Sequence, residues 1–159
     1  MGGFAIFTHA LSPVSLKLCS MREFQMNISI HISFKGQCEE AFRYYEKHLG
    51  GVIDGLYKFK DTPASKTASS EWQDKIVHGG VLIGNVEIAG ADVVPEQYEQ
   101  PKAFSLLLRL ASESDVRSKF EVLADGGEVI MPPQKTFWSP CYAVVVDRFG
   151  VPWDLNSGT

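Results

Sequence analysis

Asn27–Gly51, NISIHISFKGQCEEAFRYYEKHLGG, and Ala103–Gly127, AFSLLLRLASESDVRSKFEVLADGG, carry the same order of signals. In the first stretch Ile28, Ile30, Ile32 and Phe34 alternate with Ser29, His31 and Ser33, the period-2 pattern of a strand with one buried face. After the break at Gly36, Cys38, Ala41, Phe42, Tyr45 and Leu49 recur at helical spacing. Glu39 and Glu40 suit the positive end of that helix, and Glu39 can pair with Arg43 one turn on. Gly50-Gly51 ends it, because glycine takes the left-handed cap conformation without steric cost. In the second stretch Phe104, Leu106, Leu108 and Leu110 form the apolar face of a strand. Ser112 to Asp115 resembles a capping box. Val116, Phe120 and Leu123 follow at helical spacing, and Gly126-Gly127 closes the helix. Strand, helix and paired glycines occurring twice predict a duplicated fold.

Further strands extend each copy. Val52–Phe59 reads as a strand. Asp61–Asp74, polar with Pro63, reads as a long loop. Lys75–Ile83 and Val86–Ala91 read as a hairpin across Gly84-Asn85. Asp92–Lys102, with Pro95 and Pro101, is the linker. In the second copy Glu128–Met131 reads as a strand, Pro132–Pro140 as a loop, and Cys141–Asp147 and Val151–Asn156 as the last two strands. Each half is then βαβββ, and the fold class is α+β.

The 159 residues and 45% hydrophobic content provide for one ordinary core. The net charge of −4 argues against a nucleic-acid partner, whose phosphates call for a basic surface. No apolar run approaches the roughly 20 residues that cross a membrane. Cys19, Cys38 and Cys141 are odd in number and form no C-x-x-C, which suits a reducing, cytoplasmic setting. Residues 1–25 lack a clear period and also the basic and apolar regions of a secretory signal. They are expected to be an extension outside a domain spanning 26–157, with modules 26–92 and 103–157.

Four groups of residues carry a family resemblance: Phe34–Tyr45 (FKGQCEEAFRYY); Val77–Gly84 (VHGGVLIG); Gly126-Gly127 through Met131-Pro132 with Thr136-Phe137-Trp138 and Tyr142; and Asp147–Trp153 (DRFGVPW). Together they resemble the vicinal oxygen chelate superfamily of glyoxalases, bleomycin-resistance proteins and dioxygenases, and its PhnB-like branch in particular. The resemblance implies paired βαβββ modules curled into a cup, a small-molecule ligand, and assembly as a homodimer. It also implies a divalent metal, Zn, Mn, Fe or Ni, held by the first and fourth strands of each module. His31, Glu87 and Asp154 stand at or near such positions, and Glu87 is the candidate general base. The fifth strand departs from the pattern. Its face away from the core offers Ala103, Ser105, Leu107 and Arg109, with no His or Glu.

The remaining candidates are either pocket-lining residues or, for the aromatic ones, ordinary core packing and, for Arg109, a solvated charge at a strand end. Phe137, Trp138 and Tyr142, with Trp153 nearby in sequence, form the kind of aromatic cluster that small-molecule pockets use. Trp153 suits a core position best. Arg109 can hold an anionic group. His78 is either a site residue or a packed strand residue, and His48 sits at a helix end where the dipole favours it. The sequence holds no Gly-rich nucleotide loop and no Gly-x-Ser-x-Gly elbow, so nothing in it supports a methyltransferase. Two functions remain open: metal-assisted lyase, isomerase or dioxygenase chemistry, and metal-free binding of a drug-like compound.

Overall fold

The computed structural model describes residues 28–158; the expected extension at 1–25 lies outside them. The first module runs β1 (Ile30–Phe34), α1 (Cys38–Leu49), β2 (Val52–Lys58), β3 (Ile76–Ile83) and β4 (Val86–Asp92). The second runs β5 (Leu106–Leu110), α2 (Glu113–Ala124), β6 (Glu128–Gln134), β7 (Tyr142–Val146) and β8 (Pro152–Ser157). Each builds a four-stranded mixed sheet, in the orders β1-β4-β3-β2 and β5-β8-β7-β6. The pairs β1–β4 and β5–β8 are parallel. This is the α+β duplication of βαβββ units that the repeated pattern predicts.

The two modules match in register as well as in order. Ile30 pairs with Ile88 and Phe34 with Asp92; Leu106 pairs with Trp153 and Leu110 with Ser157. Even the closing contacts correspond. Asp92, at the end of β4, accepts from the Ile76 N–H at 2.8 Å. Ser157, at the end of β8, accepts through Oγ from the Cys141 N–H at 2.9 Å. Asp92 also accepts from the Cys38 N–H at 2.9 Å. It thus satisfies one of the free amides at the start of α1, where Gln37 supplies no side-chain cap. In α2 the expected cap forms locally, with Ser112 Oγ accepting from the Asp115 N–H at 3.1 Å.

The paired glycines divide two tasks. Gly50 and Gly126 have φ of 73° and 71°, the left-handed conformation that ends a helix. Their successors are where the chain passes close to the sheet. A Cβ on Gly51 would stand 2.8 Å from Val81, and one on Gly127 would stand 2.4 Å from the Val146 carbonyl oxygen.

Both helices and the helix-facing sides of both sheets form one core, from Ile32, Phe34 and Phe42 to Val145, Trp153 and Leu155. Asp147 joins the modules inside it. Tyr45 on α1 donates to its Oδ2 at 2.6 Å, Trp153 Nε1 donates to the same oxygen at 2.9 Å, and the Phe149 and Val151 amides donate to Oδ1.

Several boundaries differ from the sequence expectation. β6 continues through Pro132-Pro133 to Gln134 where a loop was expected. It is an edge strand, where a missing N–H costs no ladder bond. β5 starts at Leu106, so Phe104 lies outside it and is 44% exposed. β1 starts at Ile30, which leaves Ile28 exposed. Asp92 belongs to β4 and not to the linker. The 61–74 loop contains 3₁₀ turns at Pro63–Lys66 and Ser70–Trp72, tied down by Gln73 Nε2 donating to the Ser65 and Ala68 carbonyls.

Candidate functional site

Because the helices and core lie on one side of each sheet, alternation leaves the other side open. On the first sheet His31 shares a row with Ala89, Gly80 and Gly55. Ala89 and Gly80 give this row a floor almost free of side chains. Glu87 sits one row away, paired with Leu82, yet its carboxylate bends back over Gly80. Its Oε1 lies 3.3 Å from where a Gly80 Cβ would stand. His31 and Glu87 are exposed, and among the described residues neither forms an ion pair. His78 pairs with Tyr57 at the far end, where the two rings lie nearly parallel at 6.3 Å.

On the second sheet Leu107 pairs with Asp154, and Asp154 with Val144. The next row is Arg109, Asn156 and Tyr142. Tyr142 donates through its hydroxyl to Asp154 Oδ2 at 2.6 Å. Burial, with help from this bond, pushes the phenol pKa up to about 12, so it remains a donor at neutral pH. Trp138 packs edge-on against Tyr142 at 5.5 Å, and Phe137 against Trp138 at 4.5 Å. A recess of about 380 Å³ lies along this loop, lined by Glu113, Lys135, Thr136, Phe137, Trp138 and Pro140 among others. Phe137 is 95% exposed. Trp153 is in the core, away from these rings, as its place in the sequence suggested. Arg109 is exposed on the open face.

The structure therefore brings Arg109, Asp154, Tyr142, Trp138 and Phe137 to one face of the second sheet, and His31 and Glu87 to one face of the first. Both faces turn away from the shared core. Among the described residues no three of His, Cys, Asp and Glu lie close enough to share an ion. The matched registers add that His31 is equivalent to Leu107 and Ala89 to Asp154. Two of the four symmetric ligand positions thus hold apolar side chains, and Asp154 already has one oxygen engaged by Tyr142. The donors of a single chain do not fit a metal. Asn156 escaped the sequence reading, although it lies two residues after Asp154 on the same strand and so must share its face.

Paired βαβββ modules with open sheet faces of this kind define a class, and the chain matches it. It belongs to the Glyoxalase/Bleomycin resistance protein/Dioxygenase superfamily, whose family model matches residues 30–155. Among curated proteins it is similar to Protein YjdN of Escherichia coli strain K12, at 33% identity over 82% of this chain and 95% of the other. Among solved structures, protein PA1353 from Pseudomonas aeruginosa superposes with a TM-score of 0.75 at 35% identity, covering 84% of this chain and 98% of that one. A PhnB protein from Bacillus cereus has the same fold, with a TM-score of 0.72 at 21% identity over 84% and 100%. Among the described residues no helix is long and apolar enough to cross a membrane.

Proposed function

We propose that this chain binds a small molecule in a cup, and that binding itself requires no metal. The observation that carries this reading is the make-up of the two open faces. One has a bare floor at Ala89 and Gly80; the other has aromatic walls at Trp138 and Tyr142 and a few polar groups, Arg109, Asp154 and Asn156. Pockets for organic ligands combine apolar walls with a few fixed polar groups in this way. Each chain offers two half-cups that face away from its core, so the complete cup is proposed to form in a homodimer, with the first sheet of one copy opposite the second sheet of another. Exposed Leu82, Leu107 and Phe137 are then covered. The functional unit is taken as residues 26–157, with modules 26–92 and 103–157, in a cytoplasmic setting that suits the buried free thiols of Cys38 and Cys141.

A thermal-shift screen against a library of aromatic compounds tests the reading, since a ligand bound only by the native state raises Tm. Upward shifts without turnover support it; a library that shifts nothing contradicts it. A second reading is favoured by Glu87, whose carboxylate reaches into the row of His31. Across two copies, His31, Glu87 and Asp154 would be the donors for a divalent ion, the oxygen-rich set leaning toward Mn or Fe over Zn or Ni. Glu87 would be the base for metal-assisted lyase, isomerase or dioxygenase chemistry. Metal analysis of the purified protein decides between the two.

A further inference from the structure

The connection from β2 to β3 runs from Phe59 to Lys75. Its two ends are joined: the Phe59 N–H donates to the Lys75 carbonyl at 3.0 Å, and the Lys60 N–H to the Gln73 carbonyl at 2.9 Å. Gln73 Nε2 ties down the interior through the Ser65 and Ala68 carbonyls. The loop is thus a fixed wall, and loops held in this way on a scaffold commonly carry binding residues. Between it, the end of β4 and the start of the linker lies a recess of about 560 Å³. This is larger than the recess of about 380 Å³ beside Trp138. It also falls within the roughly 300–1,000 Å³ that takes small organic molecules. None of its lining residues belongs to the sets described above on the two open sheet faces.

Four half-buried apolar side chains, Phe59, Trp72, Val93 and Val94, line this recess, and exposed Ser69 and Gln97 join them. Phe59 and Trp72 meet edge to face at 6.4 Å, and aromatic walls favour flat partners in edge-on or offset contact. Asp92 is the only charged residue of the lining. Both its oxygens are taken, Oδ1 by the Cys38 N–H and Oδ2 by the Ile76 N–H. A charged ligand would lose hydration with no opposite charge free to meet it. Neutral hydrogen-bonding groups remain: the Trp72 indole N–H is a donor, and the Ser69 hydroxyl and Gln97 amide can donate or accept. Among the described residues no side-chain bond occupies any of the three. We propose that this recess is a second ligand site, separate from the cup, for uncharged planar aromatic compounds that carry a carbonyl or amide group.

Calorimetric titration of the full chain with 2-quinolinone, quinoline-2-carboxylate and N-methylquinolinium tests this, because the three share a bicyclic body and differ in charge. 2-Quinolinone is expected to bind with a Kd below about 1 mM, and at least about tenfold more tightly than either charged analogue. Gln97→Trp, a change at an exposed position that fills the recess, should weaken 2-quinolinone by about tenfold or more. Trp72→Leu, which removes a wall, should do the same. An aromatic compound whose binding needs Trp138 should not compete with it. Equal binding of the three compounds overturns the inference, and so does a failure of 2-quinolinone to saturate the protein in that range. Neither result depends on a variant folding. A folded Gln97→Trp that keeps full affinity also overturns it. Competition with a Trp138-dependent compound overturns it too, and assigns 2-quinolinone to the cup. The cup reading stands or falls on its own library screen, whichever way these titrations come out.

Discussion

His31 and Leu107 occupy equivalent positions in the two modules. Each is the second residue of its module's first strand, and each pairs in parallel register with a fourth-strand residue, Ala89 for His31 and Asp154 for Leu107. The duplication is complete in backbone and incomplete in chemistry. Where a symmetric metal site would place four donors, this chain places two donors and two apolar side chains.

That gap can be filled. Replacing Leu107 by His and Ala89 by Glu supplies the missing donors at the symmetric positions. The double variant is expected to gain a Tm increase with Mn²⁺ or Zn²⁺ that the parent protein lacks. A variant that folds but shows no metal-dependent shift would mean that the two faces do not come together in the assembly.

Asp147 should be the costliest polar residue to remove. Asp147→Ala leaves the Tyr45 hydroxyl, the Trp153 indole N–H and two backbone amides without their acceptor. Each buried donor left without a partner in this way costs about 1–3 kcal/mol. Tyr45→Phe removes one bond to a charged group and should cost about 1.5–3 kcal/mol. Urea unfolding measures both.

Asp147 also has a pH signature. Burial raises its pKa above the ordinary aspartate value, against the pull of its donors. The folded state therefore binds this proton more readily than the unfolded chain does. Its contribution to stability falls as pH rises from the ordinary aspartate value through the raised one, and is flat above that. The stability difference between the parent protein and Asp147→Asn should show that slope. A difference that grows with pH in the same window would contradict the assignment.

The paired glycines are predicted to respond unequally. Gly126→Ala meets no close atom in the fold, its nearest contact being 3.5 Å. Its penalty is that of a left-handed alanine, about 1 kcal/mol. Gly127→Ala drives a Cβ to within 2.4 Å of the Val146 carbonyl and 2.9 Å of the Leu123 carbonyl. Since both are backbone atoms, this variant should lose more stability than Gly126→Ala, and thermal unfolding of the pair reads the order.

Much of this was written in the sequence, and what was missing has physical causes. Ile32 and Phe34 in one module, and Val116 and Leu123 in the other, announce themselves by period, because one buried face per element sets that period. Pro132-Pro133 misled as a loop signal, because only the sheet order reveals that β6 is an edge where proline is tolerated. The amide capping of α1 by Asp92 was invisible, since its partners lie 54 residues apart in the chain. Candidate ligands His31, Glu87 and Asp154 come from the family resemblance, with residue type and strand face only consistent with it. Their separation was hidden, because which sheet face meets which depends on how the two modules pack through Tyr45, Phe149 and Trp153.

Trp138 is a wall of the proposed cup. At 54% exposure it contributes little to the core, so Trp138→Ala should change stability by no more than about 0.5 kcal/mol. It should nevertheless weaken binding of any aromatic library hit by about tenfold or more, as measured by titration. Loss of stability without loss of binding would place Trp138 in the fold and not in the cup.

If the cup binds its ligand without a metal, as proposed, chelation leaves binding intact. The most direct measurement is the Tm shift given by an aromatic hit, recorded on the purified protein before and after chelator treatment, with metal content determined in parallel. Substoichiometric metal and the same shift in both samples are expected. Stoichiometric metal, with a shift abolished by the chelator and restored by Mn²⁺, would contradict metal-free binding and install His31, Glu87 and Asp154 as ligands.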